Sequence, residues 1–295
     1  MPAAEQERFE SFVRSSDQSM WSTAALIMGI RGFGSPEARA AAAEVLRILD
    51  LETSSDLGPL DPDVVASQAT ASMIQVAALL GGEEQLWASQ SDEALLAQGR
   101  ASAQGAAQLA RQGLMLPGLA EALGIVDHPR VLDVGTGVGA MAVFWAEQYP
   151  HIAVVGIDVL PRVLALAAAN VSASTAGGRV ILREQDVSTL DETDTYAFAW
   201  MPAPFIPEQA LREGVRRVVD ALVPGGWLTL GHGKFSGDPL EDALNRFKTI
   251  SYGGTALDND QASQLLLNGG LSEITSAPTP PGFPAFTIGR KAVKG

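Results

Sequence analysis

The sequence predicts an α/β fold in two parts: an all-helical region over residues 1–127, then a parallel sheet with helices on both faces over 128–295, closed by an antiparallel hairpin. Three observations predict it. From His128-Pro129 onward, short apolar β-rich runs alternate with helical stretches, the pattern of a sheet buried on both faces. The run Val131-Leu-Asp-Val-Gly-Thr-Gly-Val-Gly-Ala140 joins a strand to a helix through a turn with glycines at 135, 137 and 139. The last two apolar runs, 271–275 and 285–290, are separated by the proline-rich segment 277–284 with no helix between them, so they are expected to pair antiparallel.

The elements follow in order. Glu5 to Ser15 reads as a short polar-faced helix. Ser35-Pro36 starts the next, with a capping hydroxyl and a proline in the first turn, and it runs to Leu49. Asp61-Pro62 starts another that stops near Gly81, Ser91-Asp92-Glu93 starts one that reaches Gln112, and a short helix spans Pro117 to Leu123. Strands are expected at 131–134, 153–157, 179–183, 196–200 and 227–230, and helices at 139–148, 161–171, 207–222 and 259–268.

Composition narrows the functional classes. Of 295 residues, 46% are apolar and 18% charged, enough for a sizeable core. The absence of cysteine excludes disulfides, thiolate metal sites and a thiol nucleophile, and it suits a reducing cytoplasm. The segment Met1-Pro-Ala-Ala-Glu-Gln-Glu-Arg is acidic and polar, unlike a secretory signal, so a cytoplasmic location is expected. Val64 to Gly82 carries no charge and is long enough to span a bilayer, but Ser67, Gln68, Thr70, Ser72 and Gln75 interrupt it, which favours a buried helix over a membrane span. A formal net charge of −14 and the lack of a basic run argue against a nucleic-acid partner. No His-rich or carboxylate-rich spacing suggests a metal.

The glycine turn lets a backbone approach a nucleotide-like ligand, with helix N-terminal amides facing it. Gly135, Gly137 and Ala140 satisfy the dinucleotide fingerprint, so an NAD(P)-dependent oxidoreductase on a Rossmann sheet is one reading. Gly139 removes bulk where the helix passes the strand. Four features bear on the choice. Asp133 lies inside the strand before the turn, where its carboxylate could attract an ammonium group and would repel a pyrophosphate. Asp158 ends the second strand, placed to accept from ribose hydroxyls in either reading. Asp186 follows the third strand, where it could accept an adenine amino proton or cap a turn. Pro224-Gly225-Gly226 stands as a turn before the fifth strand.

Together these residues resemble the class I S-adenosylmethionine-dependent methyltransferases, over about 130–295, in the order and spacing of the acid-glycine turn, the two later acids and the P-G-G-x-L segment. The resemblance implies a Rossmann-like sheet with a C-terminal strand hairpin and S-adenosylmethionine as cofactor. It implies that Gly135, Thr136 and Gly137 line the methionine portion, that Asp133 helps hold the ammonium group and that Asp158 binds the ribose. It further implies that Val159 or Leu160 touches the adenine face, and that Asp186 and Val187 read the adenine edge.

The family places the transferred methyl beside the end of the fourth strand, Ala199-Trp-Met-Pro-Ala-Pro-Phe-Ile-Pro207. The Asn/Asp-Pro-Pro-Tyr/Phe of nucleic-acid and glutamine methyltransferases is replaced here. Trp200, Met201 and Phe205 are candidates for a pocket that takes a small, partly apolar acceptor, or for plain core. His232, after the fifth strand, is the first candidate for a general base and the reason oxygen is preferred over nitrogen or carbon. Glu208 is the second, and Lys234 could neutralise an anionic substrate. His128 and His151 precede strands, at the far edge from the crevice. The N-terminal helices are expected to cover the crevice, through Trp87 and Leu95 to Ser102, with Arg100 either meeting the cofactor carboxylate or lying on the surface. They could also form a homodimer contact. A non-catalytic cofactor-binding protein remains the other alternative.

Overall fold

A computed structural model describes residues 3–51, 61–80, 87–111, 119–277, 279 and 284–293. The chain forms two compact units, residues 1–74 and 75–295. The first begins with α1 (Ala3–Arg31) and α2 (Pro36–Ile48), packed through Ala25, Ala42 and Leu46. Helix α1 is more than twice the expected length, because Ser16 to Met28 contains no proline or glycine and the helix stops only before Gly32, at φ 68°. Ser35 caps α2, its hydroxyl accepting from the Ala38 N–H at 3.2 Å. Helix α3 (Pro62–Leu79) follows. Its expected stop at Gly81 lies outside the described residues, as do Gln112, Pro117 and most of the proline-rich segment 278–283.

Helix α4 (Asp92–Arg111) and the single-turn α5 (Leu119–Ala122) precede the sheet. The sheet comprises β1 (Arg130–Val134), β2 (Ala153–Asp158), β3 (Val180–Glu184), β4 (Tyr196–Pro202), β5 (Leu222–His232), β6 (Ser272–Ala277) and β7 (Ala285–Arg290). Between them run α6 (Ala140–Gln148), α7 (Pro161–Ala173), α8 (Glu208–Ala221), α9 (Pro239–Ser251) and α10 (Asn259–Asn268). The strand order is β3-β2-β1-β4-β5-β7-β6. The first five strands are parallel, and β7 enters antiparallel between β5 and β6.

That insertion separates the sheet from the dinucleotide order 3-2-1-4-5-6. The main core lies between the sheet and helices α8 and α10, where Leu132, Val155, Met201, Leu211, Val215, Leu228 and Leu266 are buried. Helix α6 covers the opposite face, with Trp145 edge-on to Phe198.

Two further elements differ from expectation. Helix α9 was not expected. Its start signal is Asp238-Pro239, whose carboxylate accepts from the N–H groups of Leu240 and Glu241. The Pro224-Gly-Gly segment is a bulge within β5 rather than a turn before it: β4 residues Tyr196 and Phe198 pair with Leu222 and Trp227, leaving Val223 to Gly226 looped out. Among the described residues, no helix is long and apolar enough to cross a membrane.

Candidate functional site

The crevice lies past the carboxyl ends of β1, β2 and β4, and the glycine turn forms its floor. Gly135 and Gly137 take left-handed backbone angles, φ 62° and 56°, which a side chain would oppose. A Cβ would meet nothing nearer than Pro202 Cγ at 3.6 Å for Gly135, and the Gly135 carbonyl at 3.9 Å for Gly137. The turn is therefore open on its ligand side. Gly139 answers to packing: a Cβ there would lie 3.2 Å from Ala167 Cβ of α7, so its neighbour is that helix and not a strand.

Asp133 is buried beneath the turn, and the Thr136 hydroxyl donates to its Oδ2 at 2.6 Å. Burial pushes the Asp133 carboxyl up to about 7; the Thr136 bond opposes this and the charge of Asp158 adds to it. Thr136 is itself pinned, its N–H donating to the Ile157 carbonyl at 3.0 Å. Gly156 makes room for it, since a Cβ there would stand 2.6 Å from the Thr136 Oγ1. Sequence reading missed Gly156, although a glycine inside an apolar strand signals a close approach.

Asp158 closes β2 and ties the turn to the next helix. Its Oδ2 accepts from the Gly137 N–H at 2.9 Å and its Oδ1 from the Leu160 N–H at 3.0 Å. Burial raises its pKa against those donors. Each oxygen retains capacity for a second donor. Val159, beside it, is 54% exposed at the strand end, an apolar surface facing open space. Asp186 caps the short 3-10 turn Val187–Thr189, accepting from the Ser188 N–H at 2.8 Å. The Val187 side chain is committed to the core under α8, where a Cβ on Gly214 would meet it at 2.6 Å, so only its backbone is left for a ligand.

These features fit S-adenosylmethionine. The turn leaves space for a ligand, a buried carboxyl raised to about 7 gains from a nearby cation, and Asp158 can accept further from hydroxyls.

The other side of the crevice begins where β4 ends. Trp200 lies in register with Asp133 on one sheet face, half-buried, and its ring leans away from β1, over Gly231 and edge-on to Phe286 at 5.7 Å. Met201 points to the opposite face, is fully buried and touches the Gly214 position of α8. Its expected place in the pocket is therefore corrected: it is core. Phe205, on the 3-10 turn after β4, packs on Trp87 at 4.7 Å and stacks on Tyr252 at 5.3 Å. The Tyr252 hydroxyl donates to the Gln75 Oε1 at 2.6 Å, and Gln75 donates in turn to Gln98 at 2.9 Å.

Comparison with known proteins accords with this architecture. The family model of a methyltransferase domain matches residues 131–226, which run from the first strand to the bulge in β5. Residues 131–226 are thus identified as a methyltransferase domain. The erythromycin 3''-O-methyltransferase of Saccharopolyspora erythraea is 28% identical over 114 residues, 38% of this chain and 37% of that protein. The chain spans about half or less of the length of the first curated relatives it matches. An O-methyltransferase family protein from Burkholderia thailandensis shares the fold with a TM-score of 0.65 at 14% identity, over 100% of this chain and 99% of that one. The human N-acetylserotonin methyltransferase in complex with SAM gives 0.63 at 16%, over 99% of both chains.

His232, just past the matched segment, does not stand where a base is needed. It is fully buried on the α8 face of β5. Its Nδ1 lies 3.0 Å from the Gly233 carbonyl, which can only accept, so Nδ1 carries the proton and Nε2 accepts from the Thr287 hydroxyl at 2.8 Å. Burial lowers its pKa. With both ring nitrogens engaged and no exposed surface, the base role is corrected to a structural one. Glu208 is exposed in the first turn of α8 and pairs with Arg212 at 2.8 Å. Lys234 donates to the Thr279 carbonyl at 3.2 Å. Arg100 is exposed. Its neighbour Gly99 is pressed against Val138 of the glycine turn, where a Cβ would overlap the valine. Helix α4 thus sits against the turn at Gly99.

Proposed function

We propose that this protein transfers a methyl group from S-adenosylmethionine to a small, partly apolar molecule. The observation that carries the reading is the acid-glycine-acid assembly: Asp133 buried under a turn of left-handed glycines, with Asp158 accepting from the Gly137 N–H at its edge. When bound, the cofactor supplies a sulfonium carbon open to displacement. The chain's residues hold and orient. Asp133 balances the ammonium group, Asp158 accepts from the ribose hydroxyls, and Gly135, Thr136 and Gly137 give the backbone surface on which the methionine portion lies. Val159 and the Asp186–Val187 backbone bound the adenine. Phe205 and Trp200 border the acceptor. Fixing donor and acceptor in line accounts for several kcal/mol of barrier lowering.

Oxygen is the proposed acceptor atom. Its support is that relatives and fold neighbours include O-methyltransferases, since His232 no longer argues for it. Calorimetry with S-adenosylhomocysteine and with NAD+ tests the cofactor reading: micromolar binding of the first and none of the second is expected, and the reverse would overturn it. Mass spectrometry of products from a panel of phenols, amines and carboxylic acids tests the acceptor atom. We also propose that two copies pair through the helical region, whose α1 exposes Phe9, Phe12, Val13 and Met20. Light scattering at the mass of one chain would end that proposal.

A further inference from the structure

Tyr252 was not singled out by the sequence, yet it stands at the junction of two networks. Its ring stacks on Phe205 at 5.3 Å and 24° and meets Trp87 edge-on at 6.0 Å. Its hydroxyl donates to Gln75, which is buried and donates to Gln98, which donates to Ser102 at 3.3 Å.

Each network has a member close in sequence to a residue packed beside the glycine turn. Phe205 lies three residues past Pro202, which packs beside Gly135. Gln98 precedes Gly99, which rests on Val138 of the same turn. The aromatic cluster is fixed against the end of β4 from below: the Thr255 N–H donates to the Ala203 carbonyl at 3.0 Å, and its hydroxyl to the Ile206 carbonyl at 2.7 Å. Gly254 sits directly on Pro204, with no room for a Cβ.

We infer that Tyr252, clamped by Gln75, is a specificity-determining residue that selects acceptors presenting a hydrogen-bond donor beside a flat ring. The inference rests on the methyltransferase reading. Its logic is directional. A phenol has one proton, and Gln75 takes it as acceptor through Oε1. The oxygen that remains can only accept. Burial raises the Tyr252 pKa, so it stays a neutral phenol and does not act as a base near neutral pH. An acceptor's O–H or N–H is satisfied there, while an ether oxygen meets lone pair against lone pair. The Phe205 and Trp87 rings supply the apolar face for a planar molecule.

The test is calorimetry of the protein saturated with S-adenosylhomocysteine, titrated with 2-naphthol, its methyl ether and decahydro-2-naphthol. The inference expects 2-naphthol to bind about five- to tenfold tighter than the ether, as one hydrogen bond allows, and tighter than the saturated alcohol. Tyr252→Phe should erase the naphthol-over-ether preference while keeping the planar preference. Gln75→Leu frees the tyrosine proton and should let the ether gain on the naphthol. Phe205→Leu should weaken both planar probes. Equal binding of naphthol and ether to the unaltered protein, or a preference that survives Tyr252→Phe in a variant of native circular dichroism, overturns the inference. S-adenosylhomocysteine affinity is measured first. Its absence sinks the methyltransferase reading, whereas its presence without probe selectivity sinks only the role of Tyr252.

Discussion

The two sides of the crevice are built on opposite principles. The side proposed for the cofactor is made largely of backbone: left-handed glycines and N–H groups aimed at Asp158, with two buried acids, drawn from residues 133–160. The side proposed for the acceptor is made of side chains drawn from residues 75, 87, 98, 205 and 252. A backbone device tolerates few substitutions and so announces itself in a short motif. A side-chain device can be rewritten residue by residue, which is how one fold serves many acceptors.

Substitutions should separate the two sides. The largest expected effect is Asp158→Ala, which removes the acceptor for the Gly137 and Leu160 amides and for the ribose. Loss of two such hydrogen bonds costs about 2–4 kcal/mol, so calorimetry should show S-adenosylhomocysteine affinity falling by about 30- to 1000-fold. Unchanged affinity would misplace the ribose.

Asp133→Asn comes next and acts in two directions. The folded carboxyl titrates near 7 against a reference of 3.8. The folded state therefore binds the proton more tightly than the unfolded state. Its contribution is complete below the unfolded value, is lost as pH rises to about 7, and stays lost above that. The Asn variant, always neutral, should gain stability over the parent across pH 4 to 7, by on the order of 4 kcal/mol at most, and hold that gain at higher pH. Its cofactor affinity should fall. Denaturant melts of the ligand-free protein at pH 4, 5.5, 7 and 8 check the first part, and a flat difference would contradict it.

Gly99→Val should cost about 1–3 kcal/mol by overpacking against Val138. Because Val138 belongs to the turn, the cofactor should bind less tightly as well. The smallest effect on chemistry is expected for His232→Ala. Leaving Thr287 without its partner costs about 1–3 kcal/mol of stability, read as a lower melting temperature. The pH profile of kcat should keep its shape, and a lost ionisation near neutrality would restore His232 as a base.

The contrast also explains what the sequence disclosed. Strands β1 to β4, the glycine turn and Asp158 were legible because each is fixed by local rules: alternation of runs, backbone angle, an acid at a strand end. Helix α1 was underread because its exposed residues Phe12 and Trp21 blur any single apolar face. Met201 and His232 were misread because a strand alternates its faces, and the sequence alone does not say which face looks into the crevice. Tyr252 and Gln75 are 177 positions apart, and no local pattern links them.

Gly99 resting on Val138 has one more consequence. Any ligand that stills the glycine turn also stills the helix leaning on it. Amide hydrogens along α4 should exchange with deuterium more slowly once S-adenosylhomocysteine is added. The helical segment would then register, at a distance, whether the nucleoside seat is taken.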